Sequence, residues 1–315
     1  MSARHKEMDH EQIKGTAYAW PMGLWFTLFF TVPLGIIILY SFLKRGLYGG
    51  VEWQFSLLAY KQMFNPSFAK VLLRTLWISL LATLFCMLLA LPAGYAMAKS
   101  KHQTFLLFLI IIPFWTNSLI RIYAWISLLS TEGFLNSMLM KLHLITEPLH
   151  MIYNNGSVIL VLVYMYLPFA ILPLFTTIDK FDFSLIDAAR DLGATKPQSM
   201  FLVLLPNIKS GITTSLIFTF IPIFGEYTVP LLVGGKESTM IGNIIVDQVS
   251  KTRNWPLASA FSMVLTVLSL IGVFWMLYTG QKEKVAQSKK IVTSQSELED
   301  SVAEHHKGQD KGDAK

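Results

Sequence analysis

Long apolar stretches separated by short polar segments make up most of the chain. A run of about 20 mainly apolar residues is long enough for a helix to cross the roughly 30 Å hydrocarbon core of a bilayer. Six stretches reach that length, namely residues 20–43, 71–98, 105–129, 157–178, 211–233 and 257–279. Backbone polar groups in lipid must be hydrogen-bonded within the protein, which here means helices. The pattern predicts an all-α fold, a polytopic membrane bundle of six transmembrane helices.

Proline occurs inside most of these spans. Proline removes a backbone hydrogen-bond donor and distorts a helix, and membrane bundles tolerate this because local turns and neighbouring helices satisfy the freed groups. We therefore expect bent or broken helices at a set of seven positions: Pro33, Pro92, Pro113, Pro168, Pro173, Pro222 and Pro230.

Composition supports a membrane protein and excludes several other classes. Of the 315 residues, 53% are hydrophobic and 15% are charged, whereas soluble domains carry about 25% charged residues. The single cysteine, Cys86, lies in an apolar run, which excludes intrachain disulfides and cysteine-based metal sites. The net charge of +6 is not clustered into a nucleic-acid-binding surface. We expect no metal, no cofactor, no nucleic-acid partner and no cleaved signal peptide.

Basic residues predict the orientation. If the N-terminus is cytoplasmic, thirteen Lys and Arg residues lie in inner segments and eight in outer segments. Such an excess favours a cytoplasmic location for both termini. We divide the chain into a cytoplasmic segment over 1–17, a transmembrane domain over 18–280 and a tail over 281–315, whose polar composition predicts a disordered, cytoplasmic tail.

The inner segment between the fourth and fifth spans, residues 179–210, contains clear helix signals. Ser184 with Asp187 fits a helix-starting capping box, and Gly193 is suited to end that helix because glycine readily adopts the left-handed conformation. Thr195 or Lys196 then starts a second helix, with Pro197 in its first turn. The sequence predicts two short helices joined by a tight turn, after which Pro206 bends the chain into the fifth span.

Two interpretations of this loop follow from the residues. Small side chains at Ala188, Ala189 and Gly193 would let a partner protein approach closely. The charges of Asp187, Arg190 and Asp191 would fix its register. The alternative is an ordinary connection between two spans, because capped helices are common in such loops.

The motif in this loop resembles the EAA motif of the permeases of bacterial ABC importers. The matching positions are Asp187, Ala188, Ala189, Gly193, Val203, Leu205 and Pro206, at the spacing of that motif. Asp187 stands where the family has glutamate, and Val203 where it has isoleucine. The resemblance implies a type I ABC-importer (MetI-like) permease fold, with the loop docked on an ATPase and Asp187, Ala188, Ala189, Arg190, Gly193 and Pro206 in the coupling contact.

A longer resemblance concerns the substrate. Several segments are similar to the B-type permeases of spermidine/putrescine importers, namely Ile112–Trp125, Leu129–Asn136, Ala188–Ala194, Ile241-Gly242-Asn243 and Asn254-Trp255-Pro256. This resemblance implies polyamine transport across the bacterial inner membrane. It also implies a second permease subunit, an ABC ATPase dimer that binds the ATP, a periplasmic or lipoprotein substrate-binding protein, and contact with membrane lipid.

Charged residues inside the spans are few, and these are functional candidates because intramembrane charge is costly. They are Arg74 near a span end, Arg121 and Glu226. Asn117, Arg121 and Trp125 recur every four residues and would share a helix face. We assign Asn117 and Arg121 a structural role.

A polyamine path needs carboxylates for the amines and aromatic walls that attract cations. Trp125, Glu226 and Tyr227 offer these groups, and Asp247 in the next outer segment would add a second carboxylate. The alternatives are a structural ion pair between Glu226 and Arg121, and aromatic packing within the bundle.

Three other functions stay open. The first is an importer for another solute, such as ferric iron, sulfate, molybdate or an opine. An intramembrane enzyme is disfavoured because no histidine lies inside a span, so we expect no catalytic residues and ATP hydrolysis in a separate subunit. The third is a membrane adaptor that transports nothing.

Overall fold

A computed structural model describes residues 20–274 and Tyr278. The predicted segments 1–17 and 281–315 lie outside the described residues. Four helices are long and apolar enough to cross a membrane, and two bent helix pairs bring the possible number of spans to six. The single helices are α1 (Trp20–Ser41), α3 (Pro66–Ala98), α7 (Asn155–Asp179) and α13 (Trp255–Phe274).

The first bent pair overlaps the third predicted span, and the second joins the second helix predicted for the 179–210 loop to the fifth predicted span. In the first pair, α4 (Gln103–Ile111) leads through a 3₁₀ turn into α5 (Ser118–Leu129) and then α6 (Phe134–Lys141), and the bend is 90°. In the second, α9 (Lys196–Asn207) meets α10 (Lys209–Phe224) at 71°. The other elements are β1 (Leu43–Arg45), β2 (Val51–Phe55), α2 (Leu58–Met63), α8 (Ser184–Asp191), α11 (Thr228–Leu232) and α12 (Ile241–Ser250).

Proline acts differently at different positions. Pro113 lies in the 3₁₀ turn Ile112–Trp115, so the break expected at this proline occurs within the predicted span 105–129. The oxygen of the Asn117 side chain then accepts a hydrogen bond from the Leu119 N–H at 2.8 Å and starts α5. By contrast, the helices continue through Pro92, Pro168, Pro173 and Pro222. Of these five prolines, Pro113 is the one followed by a new helix cap, and it is the one at which the helix breaks.

The chain forms two compact units. The first contains the described residues up to Phe85 together with Ile112–Tyr166 and Phe220–Leu268, and the second contains Cys86–Ile111, Leu167–Thr219 and the described residues from Ser269 onward.

In the first unit, an antiparallel hairpin of β1 and β2, absent from the sequence prediction, connects the first two spans. Arg45 Nη2 donates a hydrogen bond to the Thr252 carbonyl at 2.6 Å, and the Gly50 N–H donates to the Arg253 carbonyl at 2.8 Å. The apolar core nearby is formed by Ile241, Leu257 and Phe261.

In the second unit, α3, α7 and α10 pack through small residues. A Cβ added to Gly211 would clash with the Thr177 hydroxyl oxygen, so α7 and α10 are in close contact there. The Ser215 hydroxyl donates to the Ala170 carbonyl at 2.6 Å, and Gln103 donates to the Asp179 carboxylate at 2.9 Å. Apolar packing and these hydrogen bonds hold the base of the 179–210 loop.

Candidate functional site: the helical loop and the break in the fifth span

The first helix of the loop, α8, starts differently from the prediction. Ser184 is its first helical residue and does not cap it. Instead the Asp182 carboxylate accepts a hydrogen bond from the Ser184 N–H at 3.0 Å, which is an Asx turn. Hydrogen bonds from the Ser184 hydroxyl and N–H lower the pKa of Asp182. This stabilisation is complete above the ordinary carboxyl pKa of 3.8 and is lost only as the pH falls through the lowered value.

The turn that ends α8 depends on Gly193, as predicted. Its φ is +94°, in the left-handed region. The Gly193 N–H donates to the Arg190 carbonyl at 2.9 Å, and the Ala194 N–H donates to the Ala189 carbonyl at 3.0 Å. This pair of hydrogen bonds is a Schellman motif, which satisfies the last carbonyls of a helix. A Cβ at Gly193 would meet nothing within 4 Å, so the requirement for glycine is conformational.

The second helix of the loop, α9, begins with a capping box. The Thr195 N–H donates to the Gln198 side-chain oxygen at 2.8 Å, and the Gln198 N–H donates to the Thr195 hydroxyl at 3.4 Å. Pro197 lies in the first turn, as expected. Pro206 lies just before the bend that leads into α10, so the predicted change of direction occurs beside it.

The exposed side of the loop carries most of the residues predicted to couple. Asp187, Ala188 and Arg190 are exposed on α8, whereas Ala189 is half-buried and Ile186 is buried. Leu192 exposes 91% of its surface and was missed by the sequence reasoning. Leu192 directly precedes Gly193, the glycine that ends the helix, and this position in the sequence would have indicated an exposed residue.

The fifth predicted span is interrupted at Glu226. Helix α10 ends at Phe224 and α11 begins at Thr228, so the predicted span 211–233 is broken between Pro222 and Pro230, where prolines predict a distorted helix. Glu226 Oε1 accepts hydrogen bonds from the Tyr227 N–H at 3.0 Å and from the Thr228 N–H at 2.7 Å. The carboxylate thus satisfies N–H groups at the start of α11, where negative charge is favourable.

The other carboxylate oxygen is bound by a residue that the sequence reasoning missed. Tyr166 Oη, on α7, donates to Glu226 Oε2 at 2.5 Å. Tyr166 is one of several aromatic residues in the fourth span, and no local pattern distinguishes it from the others. The carboxylate is therefore held by three donors from two elements.

The first residues of α12 pack against the same break in the fifth span. The Asn243 amide donates to the Tyr227 carbonyl at 2.8 Å. A Cβ on Gly242 would lie 2.8 Å from the Glu226 and Gly225 carbonyl oxygens, so only glycine permits this approach. Ile241 N–H in turn donates to the Thr75 hydroxyl at 2.9 Å, which links the break to α3.

The remaining predicted path residues have other partners. Trp125 packs edge-on against Tyr164, with ring centroids 5.4 Å apart. The Asp247 carboxylate pairs with Lys251 at 2.7 Å, and in the described part of the chain no hydrogen bond joins it to Glu226. Tyr227 contributes its backbone to the break, and 43% of its surface is exposed.

Arg121 does not pair with Glu226. Its guanidinium carbon lies 4.4 Å from the centroid of the Phe114 ring, which is cation–π geometry. Among residues 20–274 no ion pair joins Arg121 to Glu226, so that alternative is wrong. Asn117 is the N-cap of α5, and its side chain accepts a backbone hydrogen bond there. Of the three residues expected to share one helix face, only Arg121 and Trp125 therefore lie within the helix.

Comparison with known proteins decides the family. The family described as binding-protein-dependent transport system inner membrane components matches residues 87–285. The chain belongs to this family. The matched range includes the whole 179–210 loop and the break at Glu226.

Relatives and solved structures agree with this assignment. The spermidine/putrescine transport system permease protein PotB of Escherichia coli (strain K12) is 40% identical over 255 residues, covering 80% of this chain and 93% of that protein. PotB of Haemophilus influenzae is 38% identical, covering 79% of this chain and 88% of that protein. A bacterial ABC transporter involved in the import of the acidic polysaccharide alginate has a TM-score of 0.71 at 17% identity, covering 88% of this chain and 98% of that chain.

The fold and family predicted from the sequence are confirmed. The chain is a multi-pass inner-membrane permease of the ABC-importer class with the type I, MetI-like fold.

Proposed function

We propose that this permease imports polyamines, spermidine or putrescine, as part of an ATP-driven importer. The observation that carries the proposal is the 40% identity to PotB over 80% of the chain. The intramembrane carboxylate of Glu226, bordered by Tyr166, is consistent with a cationic substrate. A polycation with apolar methylene segments is attracted by such a carboxylate and by aromatic faces.

The proposed complex contains a second, related permease, two ATPase subunits and an extracytoplasmic binding protein. This chain would contribute no ATP hydrolysis of its own. Closure of the ATPase pair would move α8, and the bundle would switch between inward-open and outward-open states. For this coupling the ATPase pair must bind the two states with different affinity. The exposed side chains of Asp187, Arg190 and Leu192 form the contact in this proposal.

The proposed substrate path passes the break in the fifth span. Glu226 would attract the amines, and Trp125 and Tyr227 would contribute aromatic surface. Asp247, paired with Lys251, would act further along the outer segment. Arg121 stacked on Phe114 would hold the third span in place without touching the substrate, since a cation repels a polycation.

The test is uptake in a bacterial strain that lacks its own polyamine importers. The chain is expressed together with its proposed ATPase, second permease and binding protein, and uptake of radiolabelled spermidine and putrescine is measured. We expect accumulation that requires this chain and an ATPase competent for hydrolysis. The matched control carries an ATPase variant that binds ATP without hydrolysing it.

The same assay separates the alternatives. If spermidine and putrescine do not accumulate, while sulfate, molybdate, ferric iron or an opine does, the polyamine assignment is wrong and the importer class stands. Solute accumulation that persists without any ATPase would overturn the importer itself.

A further inference from the structure

A groove of about 460 Å³ lies within the second unit, beside the helical loop. Its walls come from three helices: Leu91 and Tyr95 of α3, Ile178 of α7, and Phe201 and Leu204 of α9. The volume is within the range of about 300–1,000 Å³ that is typical of sites for small apolar ligands. The groove is therefore large enough for an elongated hydrocarbon chain.

The lining of this groove is apolar with one exception. Lys196, the first residue of α9, is the only charged residue on its wall. Phe201, on the same helix, exposes 67% of its surface. An apolar groove that borders a membrane bundle, with a cation on its wall, fits a molecule that has an apolar chain and an anionic head.

A second cation lies next to the groove. Lys99 Nζ is 5.3 Å from the centroid of the Tyr95 ring and 4.9 Å from that of Phe183, and Tyr95 itself lines the groove. In the described ranges, neither Lys99 nor Lys196 forms an ion pair with an acidic side chain. Two unneutralised ammonium groups beside one apolar groove attract an anion, and basic pockets at the ends of membrane helices suit anionic lipid head groups.

We propose that this groove binds one acyl chain of an anionic phospholipid, with the lipid phosphate held by Lys196 and Lys99. The alternative occupant, an apolar helix of another protein, would have to place an acidic residue against both lysines. Phosphatidylglycerol supplies both the acyl chain and the anionic phosphate in one molecule.

Binding at this place has a mechanical consequence. The groove joins α9, which follows the Gly193 turn, to α3 and α7. A bound acyl chain fills the space between them and supports α9, so the lipid would stabilise the loop that carries Asp187 and Arg190. Transport would then depend on the anionic lipid content of the membrane.

The experiment measures lipid retained by the full complex in nanodiscs of phosphatidylglycerol mixed with phosphatidylcholine, by native mass spectrometry. We expect the wild type to retain phosphatidylglycerol in preference to phosphatidylcholine. Replacing Lys196→Gln or Lys99→Gln should each lower that preference about fivefold, from the loss of one lysine–phosphate attraction. Lys101→Gln is the matched control, because Lys101 is an exposed lysine of the same unit that does not line the groove.

Two outcomes would overturn the proposal. One is a wild-type complex without preference for phosphatidylglycerol, or with a preference that Lys101→Gln reduces as much as Lys196→Gln. The other is occupation by protein, detected when a photoreactive residue at Phe201 crosslinks to another subunit and not to lipid. Polyamine uptake does not enter either readout, so failure here is distinguishable from failure of the proposed substrate.

Discussion

Glu226 combines two roles at the scale of single residues. One oxygen accepts two backbone N–H groups at the start of α11, and the other accepts the Tyr166 hydroxyl. The carboxylate thus maintains the break in the helix, and its negative charge attracts cations that come near it. Substitutions that remove the charge and substitutions that remove the cap test these roles separately.

Glu226→Gln keeps an oxygen that can accept from the Tyr227 and Thr228 N–H groups and removes the charge. We expect it to slow spermidine uptake at least tenfold while the complex assembles with unchanged thermal stability. Glu226→Ala also removes the acceptor of the Tyr227 and Thr228 N–H groups and should lower the Tm, because these hydrogen bonds start α11. Normal uptake by the Gln variant would remove Glu226 from the substrate path.

Tyr166→Phe is the matched control for this pair. It deletes the donor to Glu226 Oε2 and leaves both the charge and the helix cap in place. Uptake should stay within a few-fold of the wild type. If Tyr166→Phe is as damaging as Glu226→Gln, the position of the carboxylate matters more than its charge.

At the scale of elements, the loop of α8 and α9 is defined by local hydrogen bonds. The Asp182 turn, the Schellman motif at Gly193 and the Thr195–Gln198 capping box each join residues at most five positions apart. Such contacts form from neighbouring residues alone. The start of α8 is the exception. The sequence offers both Ser184 and Asp182 as side chains that could accept a backbone N–H there, and the backbone geometry of the structure uses Asp182.

The Gly193 turn is expected to be essential for coupling. Gly193→Val forces a β-branched residue into the left-handed region, at a cost of about 1–2 kcal/mol, and should reduce uptake per ATP hydrolysed. Gly193→Asn is the control, because asparagine tolerates that conformation and the space around Gly193 is open. The measurement is the ratio of ATP hydrolysis to uptake in proteoliposomes.

The two substitutions separate two explanations. If Val uncouples and Asn does not, the turn conformation is required. If both uncouple, bulk at the contact with the ATPase is responsible. Tight coupling in both variants would contradict the docking of this loop.

At the scale of the whole molecule, orientation is the prediction that carries the proposed mechanism. The excess of basic residues predicts a cytoplasmic location for the 179–210 loop, and the β1–β2 hairpin would then lie outside. Leu192 in the loop and Leu47 in the hairpin are each 91% exposed, whereas the native Cys86 is fully buried. Single introduced cysteines therefore report the two sides against a low background.

Leu192→Cys should react with a membrane-impermeant maleimide in inside-out vesicles and not in intact spheroplasts, because the reagent does not cross the bilayer. Leu47→Cys should show the reverse behaviour. Addition of the ATPase should protect Leu192→Cys. Labelling of Leu192→Cys from outside would place the loop on the wrong side for any ATPase and would overturn the mechanism.

The sequence by itself determined the membrane class, the approximate positions of the spans and the chemistry of the 179–210 loop. These depend on hydrophobic length and on hydrogen bonds between near neighbours, which local residues encode. The tertiary structure decided the rest. Tyr166 and Glu226 are 60 positions apart, Arg45 and Thr252 are 207 apart, and the groove takes its walls from three helices. Hydrophobic periodicity shows that a helix face is buried, but which side chain meets it depends on how separate helices pack.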